Sequence, residues 1–128
     1  MKEPKNEPKY PAYQHYAKDF LAGTADMSIA ERGAYITLLD QAWDQSPVAT
    51  LPDDDTKLRR FAGADPEEWK VVRTAVLAKF NKDEKFPGRI VNLRLREYYL
   101  ELREYHESKV EAAKKRWEKK PGKEGTDA

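Results

Sequence analysis

Three groups of residues carry whatever chemistry this chain can perform: two histidines, a run of three aspartates, and several small clusters of lysine and arginine. His15 and His106 lie far apart in sequence, and neither has a metal-ligand partner four residues on. Asp53, Asp54 and Asp55 are adjacent, without the alternating spacing and the glycine of a calcium loop, and they follow a proline where a helix can begin. Negative side chains at that place oppose the positive end of a helix dipole, so capping explains them better than a metal. No Gly-rich phosphate loop, nucleophile elbow, Walker lysine or HExxH pattern is present. No catalytic residue, metal site or cofactor is therefore expected, and the reading is of a non-enzymatic protein.

The basic residues support a different chemistry, electrostatic contact with a nucleic-acid backbone. The formal net charge is only +1, so any such surface is local. Residues 28–52 carry a net −2, residues 81–95 a net +2 and residues 109–123 a net +5. The candidate DNA-contacting residues are Lys70, Arg73 and Thr74 on one helix, and Lys82, Lys85 and Arg89 on a following hairpin. Arg59 and Arg60 are candidates for phosphate contact, as are Lys114, Lys115 and Arg116 in the strongest basic cluster. Glu67 and Glu68 act against this reading, since they sit at the helix end that would enter a groove and would repel phosphates.

These side chains are positioned by a corner between two helices. In Arg60-Phe61-Ala62-Gly63-Ala64-Asp65-Pro66-Glu67-Glu68-Trp69, Gly63 suits the left-handed conformation just past a helix end. Asp65 is an N-cap, Pro66 is preorganised for the first helical position, and Glu68 stands where a capping-box acid belongs. The helix before the corner spans about 54–62, with Leu58, Phe61 and Ala62 inward. The helix after it runs from Pro66 to about Lys79 and turns Trp69, Val72, Val76 and Phe80 to one side.

Upstream, Ser28 and Glu31 form a capping box, and Ile29, Tyr35, Leu38, Leu39, Ala42 and Trp43 define one buried stripe of a helix that ends before Ser46-Pro47. Residues 48–51 read as a brief extended link. Downstream, Asp83-Glu84-Lys85 and Pro87-Gly88 separate short apolar pieces, as in a β-hairpin spanning 80–91. A last helix starts between Asn92 and Leu95 and runs to Trp117. Its Leu95, Tyr99, Leu102, His106, Val110, Ala113 and Trp117 recur at three- and four-residue intervals, a seam that packs on the domain, on a partner helix or on a second copy. Tyr10, Tyr13 and Tyr16 precede a short helical turn at 18–21. They read mainly as an arm packed on the core, and alternatively as a platform for stacking bases.

The expected fold class is mostly α with a small β component: a winged helix-turn-helix-like domain with a β-hairpin and a long C-terminal helix. One domain over 10–117 is expected between disordered tails at 1–9 and 118–128. The absence of cysteine suits a reducing compartment, and no apolar run approaches a membrane span, so a cytoplasmic protein without membrane attachment is expected.

The stretch 11–24, Pro11-Ala12-Tyr13-Gln14-His15-Tyr16-Ala17-Lys18-Asp19-Phe20-Leu21-Ala22-Gly23-Thr24, resembles the opening of YdaU-like prophage proteins. So do Met27-Ser28-Ile29-Ala30-Glu31 with Gly33-Ala34-Tyr35, and Ala112-Ala113-Lys114-Lys115-Arg116-Trp117 at the far end. The resemblance extends over about 11–117. It implies a winged-helix-like module near phage or prophage DNA replication, with no established catalytic residues to carry over. DNA, replication proteins and host proteins are the partners so implied. The alternative function is a protein-interaction module, or an inhibitor of a host protein, acting through the long helix.

Overall fold

The computed structural model describes residues 7–127, with side chains as far as Glu118. The chain forms α1 (Ala17–Gly23), α2 (Ile29–Trp43), β1 (Thr50–Pro52), α3 (Asp55–Ala62), α4 (Pro66–Leu77), β2 (Asn81–Lys82), β3 (Arg89–Val91) and α5 (Leu93–Asp127). It is mostly helical, with one small antiparallel sheet.

The helix starts are written in their caps. Ser28 accepts the Glu31 N–H while the Glu31 carboxylate accepts the Ser28 N–H, the reciprocal box expected for α2. Asp54 caps α3 through the Lys57 N–H at 2.9 Å. At the corner Gly63 has φ +75°, and Asp65 and Glu68 form a second capping box with Pro66 at the first turn of α4. Each feature anticipated for the corner is present, and the two helices are separated by three residues.

The expected hairpin forms, with Asn81 opposite Val91 and Lys82 opposite Ile90. The link at 48–51 does more than was anticipated. Its continuation Thr50–Pro52 pairs antiparallel with β3, giving the strand order β1-β3-β2. Pro52 cannot donate to a ladder, and it lies on an edge strand, where that costs least.

The core lies between α2, α3, α4, the sheet and the start of α5. Leu38, Ala42, Leu51 and Val76 are fully buried, with Leu58, Trp69, Val72, Val91 and Leu95 around them. The predicted inward faces of α2 and α4 hold with one exception. Ile29 is 88% exposed, because it occupies the first position of α2, where no neighbouring element reaches. The N-terminal arm packs as expected. Tyr10 accepts the Trp43 indole N–H on its carbonyl at 2.7 Å, Tyr13 lies against Trp43, and Tyr16 lies against Tyr98.

Helix α5 continues to Asp127, past Glu118, where a tail is expected. Side chains beyond Glu118 and residues 1–6 of the other expected tail lie outside the described residues.

Candidate nucleic-acid interface

Helix α4 is held by its buried face, Trp69, Val72 and Val76, so its opposite face is presented outward. Lys70 and Thr74 are exposed on that face, beside Val71 at 74% exposure. Arg73 is not free in the same way. Its Nε donates to Asp55 Oδ1 at 2.9 Å, and Trp69 Nε1 donates to the same oxygen at 2.9 Å. The indole N–H, and then the guanidinium, hold the Asp55 carboxyl below the usual carboxylate range against the opposing pull of burial. Arg73 thus clamps α4 to the start of α3.

Three other candidate bases also have structural duties. Arg59 donates to the Ala64 carbonyl at 2.8 Å and closes the corner. Arg89 is half-buried and donates to Thr50 Oγ1 and Gln45 Oε1. Lys82 lies 3.6 Å from Asp53 but remains exposed. Lys85 and Arg60 are exposed, as are Lys114, Lys115 and Arg116 far out on α5. The fold therefore brings Lys70 and Thr74 together on α4, sets Lys82 and Lys85 on the hairpin, and withdraws Arg59, Arg73 and Arg89 into supporting contacts.

The predicted partner seam on α5 divides in two. Leu95 and Tyr99 are core residues at 2% and 3% exposure, and Leu102 packs against the core. A partner cannot reach Leu95 or Tyr99, which are buried, with Tyr10 of the arm and Trp43 of α2 against Tyr99. Burial pushes the Tyr99 hydroxyl up to about 12, and it donates to the Pro8 carbonyl at 2.6 Å. His106 stacks on Tyr10 with ring centroids 4.7 Å apart. Val110 and Trp117 stay exposed.

Two features escaped sequence reasoning. Asp83, which reads as turn material, is buried and receives Arg96 from α5 at 2.5 Å. The second is a cleft of about 160 Å³ between the arm, α1, α2 and the start of α5, lined by Tyr13, Tyr16, Phe20, Tyr35 and Tyr98. Its rings already meet one another, Phe20 stacking on Tyr35 at 6.0 Å and Tyr16 lying tilted against Tyr98 at 4.7 Å. Asp19 at its edge is engaged by Arg94 Nη1 and the Tyr98 hydroxyl. Asn92 at its base is fully engaged as well. It donates to the Tyr35 hydroxyl and the Lys79 carbonyl, and its Oδ1 accepts the Leu95 N–H. The spacing of tyrosines at 10, 13 and 16 was the only advance sign of this cleft.

Among the described residues, no helix is long and apolar enough to cross a membrane, and no group of three or more acids and histidines could hold a metal ion. No curated protein and no solved structure matches the chain. The model of one family, "Protein of unknown function (DUF1376)", matches residues 10–99, from the first tyrosine of the arm to the last core residue of α5. That span takes in every strand and every helix-capping motif described above and more than half of the 128 residues, so the chain belongs to the DUF1376 family.

Proposed function

We propose that this domain is a winged helix that contacts duplex DNA as a non-enzymatic protein, in the setting of phage or prophage replication. The observation that carries the reading is the order of elements around the corner. A capped helix, an edge strand, two helices meeting at the Gly63–Asp65 corner and a hairpin follow one another, and the edge strand pairs with the second strand of the hairpin. In that arrangement the helix after the corner is the one offered to a groove, and the hairpin is the wing. The resemblance of about 11–117 to YdaU-like prophage proteins supports the setting.

Lys70 and Thr74 are the groove-facing residues in this reading. Lys82 and Lys85 on the wing and Arg60 before the corner reach flanking phosphates. Arg73 and Arg59 act indirectly by fixing α4 to α3, and Glu68 is engaged in its capping box rather than facing phosphate. The experiment is a titration of duplex DNA at several salt concentrations with the intact chain and with Lys70→Ala/Lys85→Ala. Loss of Lys70 weakens binding and relaxes any sequence preference, and loss of Lys85 removes one phosphate contact and lowers the salt slope by about 0.9. An unchanged affinity and slope would sink the assignment of these residues, and no binding by the intact chain at low salt would sink the DNA reading itself.

A further inference from the structure

The outward face of α4 carries four side chains that the fold leaves unused. At 3.6 residues per turn Glu67, Lys70, Val71 and Thr74 fall within about 100° of arc, opposite the buried Trp69, Val72 and Val76. All four are exposed, Val71 to 74%, and among the described residues none of their side chains makes a hydrogen bond or an ion pair. Their neighbours are occupied. Glu68 closes the capping box, and Arg73 is held by Asp55. Glu67 has no such duty, yet it stands at the end of α4 that would enter a groove, where a carboxylate facing phosphate is repelled.

Each of the four alone is an ordinary surface residue; on one face they form a set with a specific complement. A carboxylate accepts, an ammonium donates, and the methyl groups of valine and threonine seek apolar surface. The major groove presents the matching pattern where a C·G pair lies near a thymine. Cytosine offers its N4 amino hydrogens, guanine offers O6 and N7, and thymine offers its C5 methyl group. Glu67 and Lys70, three residues apart, are neighbours on the helix surface and can meet the two bases of one pair. From residue 67 to 74 the helix rises about 10 Å, close to three base-pair steps of about 3.4 Å.

We propose that α4 reads base edges, with Glu67 accepting from the N4 amino group of a cytosine, Lys70 donating to O6 or N7 of the paired guanine, and Val71 and the Thr74 methyl packed on a thymine methyl within about two steps. This role rests on the reading of α4 as the groove-facing helix and gives that helix a target. A guanine or thymine edge in the place of the cytosine presents only acceptors to Glu67 and is rejected. The acid that weakens contact with phosphate becomes the group that tells sequences apart.

Duplexes with a randomised central segment are bound to the intact chain at low salt, and the retained fraction is sequenced. The expected site holds a C·G pair with a thymine within about two steps. On that duplex, changing C·G to G·C weakens the intact chain about tenfold, and Glu67→Ala abolishes the difference. Glu67→Ala leaves the salt slope unchanged, whereas Lys85→Ala, which loses a phosphate contact, lowers it. Replacing the thymine by deoxyuridine removes only the methyl group. It weakens the intact chain several-fold and leaves Val71→Ala unaffected. Glu67 and Val71 are exposed, so both variants keep the fold, with circular dichroism as the check. A chain that binds duplexes but enriches no sequence overturns the base-edge assignment and leaves the DNA reading standing. A Glu67→Ala variant that keeps the C·G preference overturns it too, as does equal sensitivity of the intact chain and Val71→Ala to deoxyuridine. Failure of the intact chain to bind any duplex removes the DNA reading and the base-edge assignment with it.

Discussion

Asp83 shows how much one side chain can do at a turn. Its side chain is 1% exposed, its carboxylate accepts both terminal nitrogens of Arg96 and the Lys85 N–H, and its own N–H donates to the Arg89 carbonyl. The residue therefore closes the hairpin and ties it to α5. Burial pushes its carboxyl upward, but Arg96 and the backbone N–H groups of Lys85 and Phe86 outweigh that and hold it below the usual carboxylate range. Asp83→Ala leaves Arg96 half-buried without its partner, and an expected loss of about 3 kcal/mol is readable in urea unfolding. The pH dependence has a definite sign. A carboxyl depressed in the folded state stabilises fully above its unfolded value of about 4, and this contribution is lost as pH falls through the folded value. The difference between the parent and Asp83→Asn should accordingly shrink on acidification below about pH 4. Asp83 was not legible as a buried residue, because Asp-Glu-Lys after an apolar piece is ordinary turn composition, and only the arrival of Arg96 from α5 makes it more.

At the scale of elements the local signals were the reliable ones. Caps, the left-handed glycine and the corner proline act within four residues, so they are readable without knowing what packs where. Asp65→Ala removes the bond its carboxylate accepts from the Glu68 N–H and should cost about 1 kcal/mol. Gly63→Ala meets no neighbouring atom, so any loss comes from the left-handed backbone alone, about 1–2 kcal/mol. Thermal melts of the two variants check both figures, and an unaffected Gly63→Ala would mean that the corner relaxes. Periodicity was less reliable because it reports a face and not what covers the face. Ile29 shares the α2 stripe yet projects into solvent, and the α5 seam joins core residues to exposed ones without a break. The pairing of β1 with β3 was likewise hidden, since four residues after a proline give no sign of a partner forty residues away.

The whole molecule is a small core with a long helical extension. Among the described residues the buried apolar ones lie between Met27 and Tyr99, and those from 107 to 118 add none to them. A chain ending at Ser108 should unfold within about 0.5 kcal/mol of the intact protein under conditions where both are monomeric, the range of changes that remove no core contact. A larger loss would mean that the distal helix supports the core. The basic candidates were legible as residue types but not as available groups. Whether an arginine faces solvent or a carbonyl depends on contacts such as Arg59 to Ala64, made only once the chain is folded.

Asn92 sits where the helical extension begins, bonded to Tyr35, to Lys79 and, through its N–H, to the Ala49 carbonyl, while its side chain caps the first turn of α5. In mechanical language it is a bearing carrying a lever. At 1.5 Å per residue Trp117 lies about 36 Å along the axis from Leu93, so a tilt of about 10° at the bearing sweeps that ring through about 6 Å. Four hydrogen bonds at one buried asparagine, with Leu95 and Tyr99 seated in the core over the next two turns, therefore set the direction in which the far end of the helix points.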